Sequence, residues 1–152
     1  MSLEKETQQV RTTSLGWMIQ RIARRLDAAM EQRLSRHDMT VQQFAVMMTV
    51  LETEALSQSE IGERFGMPAY AISRAIDHLE DLGLVERRPH PTSRRTLTIH
   101  PTGEGRAISE ALFGIVKEVN DELAAALSPS ERSQLQALLS QVVRAGTPGP
   151  KG

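Results

Sequence analysis

The sequence contains no cysteine. That absence excludes disulfides, thiolate catalysis, thiol redox sensing and most structural zinc sites. Long apolar runs are missing too. None approaches the ~20 residues that span a bilayer. The opening stretch, MSLEKETQQV, holds no apolar segment of the kind a secretory signal needs. The cytoplasm is the expected compartment, with no membrane partner. An excess of positive charge is also lacking: 18 Lys and Arg face 19 Asp and Glu, a net charge of −1. A nucleic-acid partner would therefore have to be met by positive charge concentrated locally. His37, His78, His90 and His100 show no zinc-type spacing, and there is no H-E-x-x-H pair. No Ser/His/Asp arrangement and no phosphate-binding loop is recognisable. Neither a metal, a cofactor nor an enzymatic activity is expected. The chain has no 20–50-residue repeat and no low-complexity tract.

What is present is an ordinary globular composition, long enough at 152 residues to bury a real core. Residues 1–10 and 146–152 read as flexible ends around a single domain at 11–145. From Ser14 to about Arg36, Leu15, Met18, Ile19, Ile22, Leu26, Met30 and Leu34 recur at helical spacing. Arg21, Arg24, Arg25 and Asp27 occupy the opposite face of this amphipathic helix. Thr40 is placed to cap a second helix through about Glu54, with Phe44, Met47, Met48 and Leu51 inward.

The next stretch is LSQSEIGERFGMP. Ser57 and Glu60 fit a capping box, each side chain bonding the other residue's backbone N–H. Ile61 and Phe65 give the short helix an apolar side, and Gly66 suits a left-handed stop. Pro68 suits the entry of a further helix, where its missing N–H is not needed, and that helix runs to about Leu82 and stops at Gly83. Two short helices joined by a tight Gly-containing turn are the pattern of a helix-turn-helix. After Gly83 the period changes. LVERRPH and TLTIH are two short β-like runs flanking PTSRR. A hairpin directly after a helix-turn-helix predicts a winged helix over about residues 40–100. A long helix from about Thr102 to Leu127 follows, with Ile108, Leu112, Ile115, Val116, Val119 and Leu123 inward. Ser128, Pro129 and Glu131 open a last helix carrying Leu135, Leu138, Leu139 and Val142 on one stripe. The expected fold class is mostly α with a small β-hairpin wing.

The second helix of the motif should turn Ile72, Ala75, Ile76, Leu79 and Leu82 inward. Its other face then offers Tyr70, Ser73 and Arg74 first, with the acids Asp77, Glu80 and Asp81 further along. A helix that enters the major groove by its N-terminal end presents such groups to base edges. Residues 87–96, RRPHPTSRRT, contain four arginines and no acid. Arg94 and Arg95 at a hairpin tip can reach the minor groove, whose negative potential attracts arginine. Arg87 and Arg88 are better placed for phosphates.

Over residues of about 14–143 the chain resembles the MarR family of winged-helix transcriptional regulators. The order and spacing of the recognition helix with its ISR, then HLEDLGLVERR, PTSRR and T-x-x-G, carry the resemblance. It implies a homodimer, a recognition helix in each major groove of double-stranded DNA and a wing at each minor groove. It places Ser73 and Arg74 on the family's recognition-helix Ser-Arg, and Arg95 on the arginine that enters the minor groove. It further implies a small aromatic or phenolic effector. Trp17, Arg21, His37, Phe44 and Met48 are the candidate lining residues. Three departures stand out. His90 and Ser93 occupy positions where the family wing usually carries aspartates, and Pro68 stands where many relatives have a polar cap.

The outer helices, about 14–36 and 102–145, carry more apolar stripe than one winged-helix core can cover. Packing across a two-fold axis would bury the surplus and demands a pseudo-palindromic site. The expected function is a sequence-specific, ligand-responsive repressor. The competing class is a winged-helix module for protein–protein contact, which the net charge and the altered wing would suit.

Overall fold

A computed structural model describes residues 1–146, so residues 147–152 of the expected flexible C-terminus lie outside the described residues. The element order is α1 (Leu3–Thr13), α2 (Leu15–Leu34), a 3-10 turn (Ser35–His37), α3 (Val41–Glu52), β1 (Leu56–Ser57), α4 (Gln58–Phe65), α5 (Ala69–Asp81), β2 (Val85–Pro89), β3 (Leu97–Pro101), α6 (Gly103–Leu123) and α7 (Pro129–Gly146). Among the described residues no helix is long and apolar enough to cross a membrane.

The N-terminus corrects the expectation of a flexible segment at 1–10, since residues 3–13 form α1. Local chemistry explains the helix. Ser2 accepts the Lys5 N–H, Glu4 and Glu6 sit in the first turn and Arg11 in the last. Charges so placed complement the helix dipole. Ser14 then ends one helix and starts the next: its N–H bonds the Val10 carbonyl, and its hydroxyl accepts from Trp17 N.

The apolar stripe of α2 is buried unevenly. Leu34 is fully buried and Leu26 and Met30 are half-buried, whereas Leu15, Met18, Ile19 and Ile22 are exposed. The helix tightens into the 3-10 turn and stops at Asp38, whose φ of 53° is left-handed. His78 Nε2 on α5 donates to the Asp38 carbonyl at 2.5 Å. The foot of α2 is thereby hooked to α5.

The three capping boxes follow one design. Thr40 with Gln43 opens α3 and Ser57 with Glu60 opens α4. Ser128 N donates to Glu131 Oε1 at 2.9 Å at the start of α7, and Glu131 N returns a bond to Ser128 Oγ. Gly66 ends α4 with φ 59°, a left-handed conformation that favours glycine. Pro68 is the N-cap of α5, and no side chain caps that start.

The core of the motif is built by Val46, Met47 and Val50 of α3, Ile61 of α4, and Ile72, Ile76 and Leu79 of α5. Each is fully buried. Each such side chain contributes roughly 1.5–3 kcal/mol of transfer free energy. The sheet has three antiparallel strands in the order β1-β3-β2. Residues 85–89 pair with 101–97, so Arg87 lies opposite Ile99. β1 has only two residues and pairs Leu56 with Ile99 and Ser57 with Thr98. Leu97 is 45% exposed, because it opens β3 at the tip, before the strand runs in over the core.

Gly105 fixes how α6 leaves the sheet. A Cβ there would lie 2.0 Å from the Leu84 carbonyl oxygen, so only glycine fits. Thr102 locks the same corner: its N–H bonds Leu84 O, its hydroxyl donates to Gly83 O at 2.6 Å and accepts from Gly105 N.

Residues 11–145, expected as one domain, divide between two compact units, Met1–Val116 and Lys117–Gly152. In the second, α7 has no buried residue. Leu135, Leu138, Leu139, Val142 and Val143 are all exposed. Leu135, Leu139 and Val143 help line an open apolar groove of about 450 Å³ together with Leu123 and Ala124. Asp121 is held below the usual carboxylate range by Lys117 and Arg132, which bond it at 2.7 and 2.8 Å.

Candidate nucleic-acid interface

The α4–turn–α5 unit presents one face of α5 to solvent. Ile72, Ala75, Ile76 and Leu79 are buried, as the periodicity predicts. On the other face Tyr70 is 68% exposed, Arg74 is exposed and Ser73 is half-buried. Gly62 allows the close approach within this unit, since a Cβ there would stand 3.2 Å from the Met67 carbonyl. The Met67 N–H bonds the Gly62 carbonyl at 3.1 Å and closes the turn.

Arg87 departs from its expected place on the phosphate-facing surface. Its side chain is only 16% exposed and its guanidinium is committed. Nη2 donates to Asp77 Oδ1 at 2.6 Å, Nη1 to Glu80 Oε1 at 3.1 Å and Nε to Gln58 Oε1 at 3.0 Å. Nη2 also reaches the Ser73 carbonyl at 3.4 Å. One side chain thus ties β2 to α4 and to three positions of α5, and offsets two of the acids on the helix's outer face. The reason is strand alternation. Arg87 shares a face with buried Val85, two residues before it, and that face looks onto the helices. Arg88 lies on the other face, more than half exposed, where it pairs with Glu86.

The hairpin tip is an ordered turn. His90 N–H bonds the Thr96 carbonyl at 2.9 Å and Thr96 N–H bonds the Ser93 carbonyl at 3.3 Å. Arg94 and Arg95 therefore occupy the two central positions of a four-residue turn, both exposed. Neither has an ion-pair partner among the described residues. The Ser93 hydroxyl bonds Thr96 Oγ1 at 3.0 Å and not a tip arginine. His90 Nδ1 accepts from the backbone N–H of Thr92 and of Ser93, at 3.1 and 3.2 Å. An aspartate side chain does the same in an Asx turn. Where aspartates were expected, an imidazole acceptor and a hydroxyl pair hold the loop.

Two carboxylates are depressed by their caps, one at the start of α4 and one at the start of α7. The Ser57 amide and hydroxyl hold Glu60 below the usual carboxylate range, and Ser128 does the same for Glu131. Of the candidate effector residues, Trp17 and His37 stand at opposite ends of α2. Trp17 and Arg21 line a shallow pocket with Gln20 and Arg24 near the start of α2, and Arg11 stacks over Trp17 at 5.5 Å. His37, Phe44 and Met48 are half-buried, His37 in the turn that follows the other end of α2. Roughly 25 Å of helix separates Trp17 from Leu34, more than a small aromatic molecule spans.

Gln58 and the bracing role of Arg87 were not anticipated from the sequence. The alternation in VERRP carried the signal: the first arginine falls on the face of the buried valine.

The fold and the exposed polar face of α5 beside a basic tip define a winged helix-turn-helix protein. The MarR family pattern matches residues 37–96. The chain is 28% identical over 130 residues to the multiple antibiotic resistance protein MarR of Escherichia coli, covering 85% of this chain and 90% of that one. The reduced form of Escherichia coli MarR superimposes with a TM-score of 0.78 at 29% identity, over 84% of this chain and 95% of that one. A variant of that protein complexed with operator DNA gives a TM-score of 0.73 at 28% identity, over 88% and 96%. The chain is thus similar to the MarR family of winged helix-turn-helix transcriptional regulators, over residues 37–96 by the family pattern and over most of its length to Escherichia coli MarR.

Proposed function

We propose that this protein is a MarR-type regulator that binds double-stranded DNA as a homodimer and represses transcription from a pseudo-palindromic operator. The observation that carries the reading is the pairing of an unengaged polar α5 face, Tyr70, Ser73 and Arg74, with the exposed Arg94–Arg95 turn beside it. Tyr70, Ser73 and Arg74 read the major groove, and Arg95, with Arg94, enters the minor groove. Arg88 turns from Glu86 to a phosphate. Arg87 acts from behind, holding α5 and the hairpin at a fixed angle. The relative solved with operator DNA supports the same reading.

The dimer rests on uncovered apolar surface. Leu15, Met18, Ile19 and Ile22 in one unit, and Leu138, Leu139, Val142 and Val143 in the other, are each at least 38% exposed. Isolated chains rarely leave such stripes in water, and a second copy covers them. An effector would act by favouring one dimer geometry over another. Its site would have to be completed by the second copy, because one chain does not bring Trp17 and His37 together.

The test is fluorescence anisotropy with duplex DNA from upstream of the coding region, titrated with salt. Tight binding that falls steeply with salt and survives unrelated competitor supports a specific operator. A folded dimer that binds no duplex at low salt would leave the protein–protein module as the better reading.

A further inference from the structure

We propose that His90 is a positioning residue of the DNA-binding turn, and that its unprotonated Nδ1 holds the arginine tip in the DNA-competent shape. The proposal rests on the DNA-binding reading above. The argument starts from the lone pair. An imidazole nitrogen has one, and Nδ1 of His90 receives two backbone N–H groups on it, from Thr92 and Ser93. Both are donors only. The proton of the neutral ring must therefore sit on Nε2. The two amides have no other acceptor in the hydrogen bonds of the loop, and they directly precede Arg94 and Arg95.

Protonation of Nδ1 converts the acceptor into a donor. An N–H would then face two N–H groups, and both bonds to the turn would be lost. A partner for the new donor stands ready, since Thr92 Oγ1 lies 3.2 Å from Nδ1. The ring can stay in place while the turn lets go. The charged groups around it pull in opposite directions. Glu60 on α4 is the carboxylate that senses the His90 charge, and it favours the imidazolium. The hairpin itself carries Arg88, Arg94 and Arg95, which oppose it. A carboxylate at this position would not lose its acceptor character until far more acidic pH. With histidine, the acceptor is lost once the ring takes up its second proton.

The experiment has two arms on the full-length protein. In the first, NMR without DNA follows the His90 ring nitrogens and the Thr92 and Ser93 amides through the titration. The expected result is a neutral ring protonated on Nε2, with both amides moving in step with it. In the second arm, duplex affinity is measured at about pH 8 and about pH 5.5, on either side of imidazole titration. The proteins are the wild type, His90→Asn and His90→Ala. Asparagine keeps an acceptor that does not titrate, so H90N should match wild type at high pH and lack its loss of affinity on acidification. H90A should bind about three- to tenfold more weakly than H90N at both, the loss expected for one or two unmade hydrogen bonds, and acidified wild type should approach it. Amides that ignore the ring, or wild-type binding that strengthens on acidification relative to H90N, would overturn the proposal. Absence of duplex binding by wild type at every pH would strike the DNA-binding reading instead, while the amides would still decide the turn.

Discussion

Arg87 Nη2 donates to Asp77 Oδ1 at 2.6 Å, which fastens the strand leading to the tip onto the outer face of α5. The same guanidinium holds Glu80 and Gln58. Arg87→Ala should therefore weaken duplex binding without removing a phosphate contact. The expected loss of stability is on the order of 1–2 kcal/mol, because Asp77 and Glu80 are left partly solvated rather than stranded. The check is the slope of log affinity against log salt. It should stay at the wild-type value while affinity and melting temperature fall.

Arg95 and Arg74 should behave differently from Arg87 and from each other. Arg95→Ala should weaken binding to any duplex and lower the salt slope by about 1. Arg74→Ala should also relax sequence preference, with a loss of about 1–3 kcal/mol if it makes a bidentate guanine contact. Competition binding against single-base operator variants separates the two. Unchanged affinity in both would remove these residues from the interface.

Leu138 is 59% exposed at the middle of the α7 stripe. Leu138→Glu should leave the chain folded and shift it towards monomer, since it puts a charge where a copy would bury a leucine worth on the order of 2 kcal/mol. Sedimentation velocity reads the change directly. Circular dichroism should hardly move.

Acid should weaken the starts of α4 and α7. Glu60 and Glu131 both titrate below about 4.5 because their carboxylates accept the Ser57 and Ser128 amides. A depressed folded-state value means the stabilisation is complete above the unfolded value and fades as pH falls through the folded one. Replacing both by glutamine should flatten that acid limb, because glutamine can still complete the box, as Gln43 does for α3. Urea midpoints measured across acidic pH would show it.

Gly105→Ala tests the corner between hairpin and α6. The added Cβ would meet backbone, the Leu84 carbonyl, so no side chain can step aside. A destabilisation on the order of 3 kcal/mol is expected, seen as a lower urea midpoint. Gly114, with open space around its Cβ position, is the control site, where alanine should be tolerated.

Elements whose signals are local were legible in the sequence. The capping residues Thr40, Ser57 and Ser128, the left-handed Gly66 and the inward face of α5 all follow from chemistry within one turn of chain. What escaped depends on distant partners. β1 is two residues long and exists only because β3 offers Ile99 and Thr98 to pair with. Arg87 read as a phosphate ligand because a run of arginines looks uniform until strand alternation divides it. The N-terminal helix was missed because its sequence is almost wholly polar, and only Ser2 and the charges of its end turns mark it. Trp17 and His37 were grouped by type rather than distance, and the length of α2 separates them.

The outer edge of β2 has one more consequence. In the order β1-β3-β2 this five-residue strand has a neighbour on one side only. An open edge is a template for pairing with other chains. Here it carries the Arg88 charge and ends in Pro89, with Pro91 just beyond, and proline has no N–H to offer an incoming strand. The segment that must stay accessible at the tip is thus guarded against edge-to-edge aggregation, so molecules concentrated along DNA can crowd together without stitching their sheets into fibres.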